Sequence, residues 1–137
     1  MTTSDLSRHN DCHNAIVTAP GCVSVGPYSL AMTAGDLLIT SGQIGLCAAA
    51  GTLVRGGFEA ELRQIFSNFE GLLAAAGLSF ADAIKCTVYL TDAADFARLN
   101  PIYAEHFPHP FPARTTIVVA DLPLGARVEI EMILRRR

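Results

Sequence analysis

The stretch Phe-Pro-Ala-Arg-Thr-Thr-Ile-Val-Val-Ala, residues 111–120, places a single charge, Arg114, at the start of an apolar and β-branched run. Such a run predicts a buried strand. An arginine stays protonated at physiological pH, so a buried one needs an anionic partner. That partner is either a carboxylate of the protein, with Glu129 and Glu131 as candidates, or the carboxylate of a bound ligand. Spacing along the chain leaves both alternatives open.

Around this stretch, short segments of alternating or β-branched residues predict a mixed sheet of about six strands. The Gly35-Asp36 pair indicates a hairpin turn, whereas the Gly- and Ala-rich segment 41–57 predicts a loop. The last strand alternates most regularly, because its apolar residues fall on one face and its charged residues on the other. The predicted strands cover residues 15–19, 30–33, 37–41, 83–90, 113–120 and 127–134.

Two helices are predicted between these strands, each with one apolar stripe. The first covers residues 58–76, with Gly77 as its C-cap. The second follows Asp92 as N-cap and ends before Pro108. Since each helix has one apolar side, both are expected on the same face of one mixed sheet. The buried stripe of the second helix is predicted to consist of Phe96, Leu99 and Tyr103.

The length of 137 residues suggests one domain. Residues 1–12 are polar and without periodicity, which predicts a mobile N-terminal tail ahead of a single domain at residues 13–137. Half of the residues are hydrophobic and only 17% are charged, an apolar composition for a small protein. We therefore expect copies of the chain to cover part of one another's surface in an oligomer.

Charge and cysteine content argue against several classes of partner. The net charge is −3 and the only basic run is Arg135-Arg136-Arg137, so no nucleic acid is expected. The four cysteines lack the spacing of a zinc site, so no metal is expected, and reduced thiols fit a cytoplasmic protein. No apolar stretch approaches the ~18 residues of a membrane span, so no membrane is expected as a partner.

Several polar residues are candidates for a site, and each has a structural alternative. Glu129 and Glu131 share one face of the last strand, where one of them can act as general acid or base or position a water, or both can simply be solvated. Tyr28 follows Gly-Pro and either lines a pocket or packs at the core edge. Ser41 and Gly42 end a strand, where their backbone groups can bind a ligand or mark an ordinary exit into a loop. A site with both an arginine and a glutamate suits a substrate with an anionic and a cationic end, such as an iminium carboxylate.

An ordered set of short motifs runs from about Gly26 to Leu134. It consists of Gly26-Pro27-Tyr28, Ile39-Thr40-Ser41-Gly42-Gln43, Asn68, Ala75-Ala76-Gly77-Leu78, Lys85-Cys86-Thr87-Val88-Tyr89-Leu90, Asp95-Phe96, Asn100 with Tyr103, Pro112-Ala113-Arg114, Leu122-Pro123 and Glu129-Ile130-Glu131. In this order the motifs resemble the RidA/YjgF family of reactive-intermediate deaminases.

The resemblance implies a chorismate-mutase-like α+β fold and a homotrimer, in which the sheets form a central barrel with the helices outside and three clefts between subunits. It also implies hydrolysis of small 2-imino acids or enamines, such as 2-iminopropanoate and 2-iminobutanoate, to 2-oxo acids and ammonia, without a metal or organic cofactor. Carried over by position, Arg114 holds the substrate carboxylate and Glu129 positions or activates the attacking water. Tyr28 lines the pocket, and the Gly42 backbone borders it, next to Ser41.

The chain departs from the family pattern in a few places. Thr116 stands where a cysteine is frequent, and the resemblance implies a substrate contact there through the backbone N–H. Glu61 replaces a frequent glutamine, which is expected to alter a trimer contact or the pocket rim. The stretch before Tyr28 is longer, and residues 45–51 differ, so substrate choice is expected to change. The alternatives are therefore a pathway-specific deaminase for a larger imine or enamine, or a non-catalytic binder of small carboxylates.

Overall fold

A computed structural model describes residues 14–136, so the predicted tail at 1–12 lies outside the described residues. Within this range the chain forms one six-stranded sheet, a separate two-stranded hairpin and two α-helices. In chain order the elements are β1 (Ala15–Ile16), β2 (Ala31–Ala34), β3 (Leu37–Thr40), β4 (Leu46–Cys47), β5 (Thr52–Leu53), α1 (Phe58–Ala75), β6 (Ala83–Leu90), α2 (Phe96–His106), β7 (Ala113–Val118) and β8 (Val128–Arg135).

The large sheet has the strand order β1-β2-β3-β8-β6-β7, so the last strand of the chain lies in its middle. All neighbours pair antiparallel except β6 and β7, which run parallel. The predicted mixed sheet of about six strands is therefore confirmed, as is the hairpin turn at Gly35-Asp36 between β2 and β3.

Both helices pack on one face of this sheet, as the single apolar stripes predict. The regular alternation of β6 and β8 directs every second side chain into the core beneath the helices. The buried cluster joins Cys86, Val88, Leu90, Val128, Ile130, Met132 and Leu134 of these strands to Leu62, Ile65, Phe66, Phe69, Leu72 and Leu73 of α1 and Leu99, Ile102 and Tyr103 of α2. The opposite face of the sheet carries no helix of the described chain.

Strand β7 corrects one prediction. The run after Arg114 was expected to be a buried strand, but β7 pairs only with β6 and forms an edge of the sheet. Ile117 and Val118 are consequently 43% and 54% exposed. The β-branched residues after Arg114 correctly indicated a strand. Residue types alone do not show whether that strand is paired on one side or on both.

The ends of the helices also differ from the prediction in detail. Asp92 caps a short 3₁₀ turn, Ala93–Asp95, by accepting a hydrogen bond from the Ala94 N–H, and α2 begins only at Phe96. Phe96 is therefore at the exposed start of the helix rather than in its buried stripe. At the other helix, Ala76 is the C-cap and Gly77 follows it in the left-handed region, with φ of 71°.

The segment predicted as a loop contains the β4–β5 hairpin, which lies against α1. The Asn68 side chain on α1 is buried and donates a hydrogen bond of 3.0 Å to the Leu46 carbonyl. Glu61, expected at a trimer contact or pocket rim, is instead buried within the chain, where its carboxylate accepts the Arg127 N–H at 2.9 Å. Among the described helices, none is both long and apolar enough to cross a membrane.

Candidate functional site

Glu129 lies in a cavity of about 290 Å³ on the helix-free side of the sheet. Three of the residues predicted for the site, Tyr28, Ser41 and Gly42, line the same cavity. The structure therefore brings together four of the predicted residues. The remaining wall is mostly apolar and is formed by Val23, Val25, Ile44, Leu46 and Pro123, with Gln43 beside them.

Backbone pairing fixes the position of Glu129. Just beyond β3 the chain pairs with β8 once more, at Gln43, which exchanges two backbone hydrogen bonds of 2.8 and 3.0 Å with Ile130. Gly42 then lies directly against the carboxylate, because a Cβ at this position would come within 2.8 Å of Glu129 Cδ and Oε1. The glycine predicted to permit a close approach thus permits the approach of the Glu129 side chain.

The hydroxyl groups of Ser41 and Tyr28 already have partners in the chain. Ser41 Oγ donates to the Ser29 carbonyl at 2.6 Å, so its oxygen can only accept from a ligand. Tyr28 Oη accepts the Val25 N–H at 3.2 Å, which leaves the phenol proton available to donate.

The electrostatic environment of Glu129 favours its neutral form. Burial raises the pKa of the Glu129 carboxyl, and the negative charge of Glu131 two residues along the same strand raises it further. Glu131 itself accepts a hydrogen bond of 2.5 Å from Tyr89 Oη, and this bond raises the pKa of the tyrosine to about 12. A carboxyl with a raised pKa is suited to accept a proton and return it.

Arg114 occupies a different cavity, of about 460 Å³, between β7 and α2. Its guanidinium donates a hydrogen bond of 2.8 Å to the Asn100 side-chain oxygen. The Arg114 Cζ also lies 4.8 Å from the ring centre of Tyr103 and 5.8 Å from that of Phe96, both within the range of a cation–π contact. Burial raises the pKa of Tyr103, so the ring beneath the cation remains neutral.

No carboxylate among residues 14–136 forms an ion pair with Arg114. The ion pairs of the described chain join Arg63 to Glu105, Arg98 and Arg127 to Asp95, and Arg135 to Asp36. The internal salt bridge to Glu129 or Glu131, left open by the sequence, is therefore absent from this part of the chain. Asn100 is a neutral acceptor, so it orients the guanidinium without neutralising its charge.

The two cavities lie on opposite faces of the sheet. Arg114 pairs with Cys86 across β7 and β6, and Cys86 points into the core under the helices. Glu129 pairs with Tyr89 and belongs to the other, helix-free face. A single chain therefore does not bring Arg114 and Glu129 around one small molecule.

Comparison with known proteins agrees with the motifs. Residues 18–135 match the family described as Endoribonuclease L-PSP. The chain is 43% identical over 118 residues to the 2-iminobutanoate/2-iminopropanoate deaminase of Bos taurus, with 86% of each chain covered. The chain belongs to the RidA/YjgF family.

Two solved structures show how far the family fold extends over the chain. RidA from an Antarctic Psychrobacter bacterium has a TM-score of 0.85 at 40% identity, and 89% of this chain and 98% of that one are covered. The YjgF gene product of E. coli has a TM-score of 0.79 at 37% identity, with 90% and 99% covered. The expected α+β fold of the RidA family is thereby confirmed.

Within this family fold, Thr116 lies on the same face of β7 as Arg114, two residues further on. Its side-chain hydroxyl is buried and has no hydrogen-bond partner among the described residues. Thr116 lines neither cavity, so the expected substrate contact at this position stays a prediction. No group of three or more His, Cys, Asp or Glu side chains within residues 14–136 is arranged to hold a metal ion.

The sequence did not assign a role to two residues that the structure places at the site. Asn100 and Tyr103 are among the family motifs, and Tyr103 was predicted only as part of the buried stripe of α2. The folded chain shows that Asn100 accepts a hydrogen bond from Arg114 and that the Tyr103 ring lies against its guanidinium. Their spacing of three along α2 is the signal that was available, because residues three apart share one helix face.

Proposed function

We propose that the chain hydrolyses small, amino-acid-derived 2-imino acids, or the enamines in equilibrium with them, to 2-oxo acids and ammonia. The observation that carries the proposal is the guanidinium of Arg114, which is oriented by neutral groups and has no carboxylate partner among residues 14–136. Such a cation is suited to bind the carboxylate of a substrate. The names of the relatives support the imine as the reacting group.

In the proposed reaction, Arg114 binds the carboxylate of the protonated imine and Glu129 orients a water towards the imine carbon. Glu129 accepts a proton as the water oxygen bonds to that carbon, and the electrons of the C=N bond move to nitrogen. The proton is then delivered to the nitrogen, and the C–N bond breaks while the hydroxyl proton passes to Glu129 and from there to solvent, so the carbonyl forms and ammonia leaves. The imine is already electrophilic, so orientation and proton handling are the main contributions of the protein.

The proposal includes a homotrimer whose sites lie between subunits. Three observations support it: Arg114 and Glu129 occupy opposite faces of one sheet, β7 is an unpaired edge, and the helix-free face is apolar in part. Met32, Ile39 and Ile117 on that face are each at least 40% exposed in the single chain. Packing three such faces together would bury these side chains and bring the arginine of one chain towards the glutamate of the next.

Action on RNA, which the description of the family suggests, has less support in this chain. The net charge is −3, and the only basic run is Arg135-Arg136-Arg137. An RNA substrate would require a basic surface for its phosphates. For location, we propose the cytoplasm, because Cys22, Cys47 and Cys86 are all free thiols.

The proposal is tested by a competition assay. An amino-acid oxidase generates imines from several amino acids, semicarbazide traps them, and activity is the loss of semicarbazone when the protein is added. Wild type is expected to divert small imines, whereas Arg114→Ala should lose about 100-fold in kcat/KM, since bonds to a charged group contribute ~1.5–3 kcal/mol.

Arg63→Ala is the matched control, because Arg63 is an exposed arginine paired with Glu105 at 3.0 Å and lines neither cavity. Its activity should equal that of wild type. A folded wild type that does not exceed the spontaneous hydrolysis rate would contradict the proposal and favour a binder of small carboxylates.

A further inference from the structure

The segment Pro20–Gly26, here called the rim segment, borders the cavity of Glu129. It carries two valines, Val23 and Val25, which are 43% and 60% exposed in the chain and nevertheless line that cavity. Exposed valines on an irregular segment contribute little to the core. Because both valines line the same cavity as Glu129, they are placed to contact a molecule bound there.

The rim segment is held against α1 at two points, so its position is fixed by the fold. The Pro20 carbonyl packs directly on Gly71, where any Cβ would overlap the oxygen. Two residues later, the Cys22 thiol donates a hydrogen bond of 3.0 Å to the Asn68 carbonyl, and the Cys22 N–H closes a turn onto Ala19.

At its other end the rim segment is joined to the cavity wall itself. The Val25 N–H donates to Tyr28 Oη at 3.2 Å, and the Tyr28 N–H donates to the Gly26 carbonyl at 2.9 Å. These bonds keep the Val25 side chain beside the phenol that lines the cavity. The valines are thus presented in a defined orientation.

The lining of the Glu129 cavity consists of a polar part and an apolar part, here called the apolar wall. Ser41, Gln43 and Glu129 supply the polar groups, and the two valines continue an apolar surface formed by Ile44, Leu46 and Pro123. A 2-imino acid with a methyl side chain presents one apolar carbon to this surface and leaves much of it uncovered, whereas a branched side chain presents several.

We propose that Val23 and Val25 determine substrate specificity by selecting 2-imino acids with a branched apolar side chain over those with a methyl group. This inference rests on the proposed function, since it names the substrate class of the same site. The branched side chain lies along the apolar wall while the reacting carbon stays near Glu129. Each additional buried methylene is expected to favour the larger substrate about fourfold.

The test is the double variant Val23→Thr/Val25→Thr, which keeps the shape of both side chains and makes them polar. The competition assay gives kcat/KM for the imines derived from leucine and from alanine. Wild type is expected to prefer the leucine-derived imine, and the double variant should lower the ratio of the two kcat/KM values about tenfold. Val17→Thr is the control, because Val17 is 61% exposed, close to the value for Val25, but lines neither cavity.

A binding experiment separates this inference from the proposed catalysis. The affinities of the stable products, 4-methyl-2-oxopentanoate and pyruvate, are measured by calorimetry on wild type and on both threonine variants. If wild type turns over no imine but prefers the branched 2-oxo acid, and the double variant loses that preference, the proposed hydrolysis fails and the specificity role stands. An affinity ratio that is the same in wild type and the double variant, or no binding of either 2-oxo acid, would overturn the inference.

Discussion

The cavity of Glu129 and the cavity of Arg114 are constructed in different ways. Glu129 is held by the main chain: Gln43 and Ile130 exchange backbone hydrogen bonds, and Gly42 lies against the carboxyl. Arg114 is held by side chains of α2, through the amide oxygen of Asn100 and the ring of Tyr103. Backbone hydrogen bonds therefore fix the position of the half-buried Glu129 carboxyl. The position of the Arg114 guanidinium, at the edge of the sheet, depends instead on side chains that can be substituted.

This difference indicates which substitutions each cavity tolerates. A change of side chain around Glu129 alters the wall but leaves the backbone pairing in place, so the chemistry can be kept while specificity changes. A change at Asn100 or Tyr103 acts directly on the orientation of the guanidinium. The following predictions test the separation of the two cavities, from the largest expected effect to the smallest.

The strongest test asks whether two chains share one site. Arg114→Ala and Glu129→Gln are each expected to lose most of the activity when tested alone, since each removes one half of the site. If the halves come from neighbouring subunits, refolding the two variants together should restore activity to about a quarter of wild type, the fraction of intact pairs in randomly mixed trimers. The competition assay measures the recovery.

The control for this experiment is a mixture of the two variants refolded separately, which should stay inactive until subunits exchange. Persistent inactivity of the co-refolded mixture, with its trimers verified by light scattering, would show that both groups act within one chain. That result would contradict the interpretation that Arg114 and Glu129 of one site come from neighbouring subunits.

The second test concerns the neutrality of Asn100. Asn100→Ala should raise KM several-fold, because the guanidinium loses an orienting bond of about 1 kcal/mol. Asn100→Asp preserves an acceptor but supplies a competing carboxylate, so it should raise KM more than the alanine variant does. Both variants are compared with wild type in the same assay, at constant ionic strength. An aspartate variant as active as wild type would contradict the role of a neutral partner.

The third test concerns the acidity of Glu129. The carboxylate form accepts the proton from water, so activity should fall as the pH drops through the pKa of Glu129, which burial and Glu131 raise above 4.5. Glu131→Gln removes the like charge that helps to raise the pKa of Glu129, so it should move this acid limb to lower pH. A pH profile of kcat/KM on both proteins measures the displacement. A limb that moves to higher pH would contradict the assignment.

The elements of the fold were largely predictable because their periodicities are strong. The alternation at residues 83–90 and 127–134 gave β6 and β8 to within one residue, and the helical stripe gave α1. Sequence patterns did not show that β7 is an edge, since β-branched residues suit paired and unpaired edges alike. The β4–β5 hairpin was missed because two-residue strands in a Gly- and Ala-rich segment have almost no period.

The candidate site likewise has one part that was predictable from the sequence and one part that was not. The shared cavity of Tyr28, Ser41, Gly42 and Glu129 follows from short-range motifs and one strand pairing, and the resemblance placed all four residues. The position of Arg114 across the sheet depends on the strand order, which no local pattern encodes. Thr116 is a further example of what the sequence could not predict. Its residue type does not show that its hydroxyl is buried without a hydrogen-bond partner among residues 14–136.

The central position of β8 has a consequence for biosynthesis. The strand that carries Glu129 leaves the ribosome after β3 and β6, yet it must insert between these two earlier strands. Until β8 emerges, β1–β3 and β6–β7 form two partial sheets whose unpaired edges are prone to pair with other chains. Such long-range closure is slow, so the nascent chain is expected to need protection from aggregation until β8 has emerged.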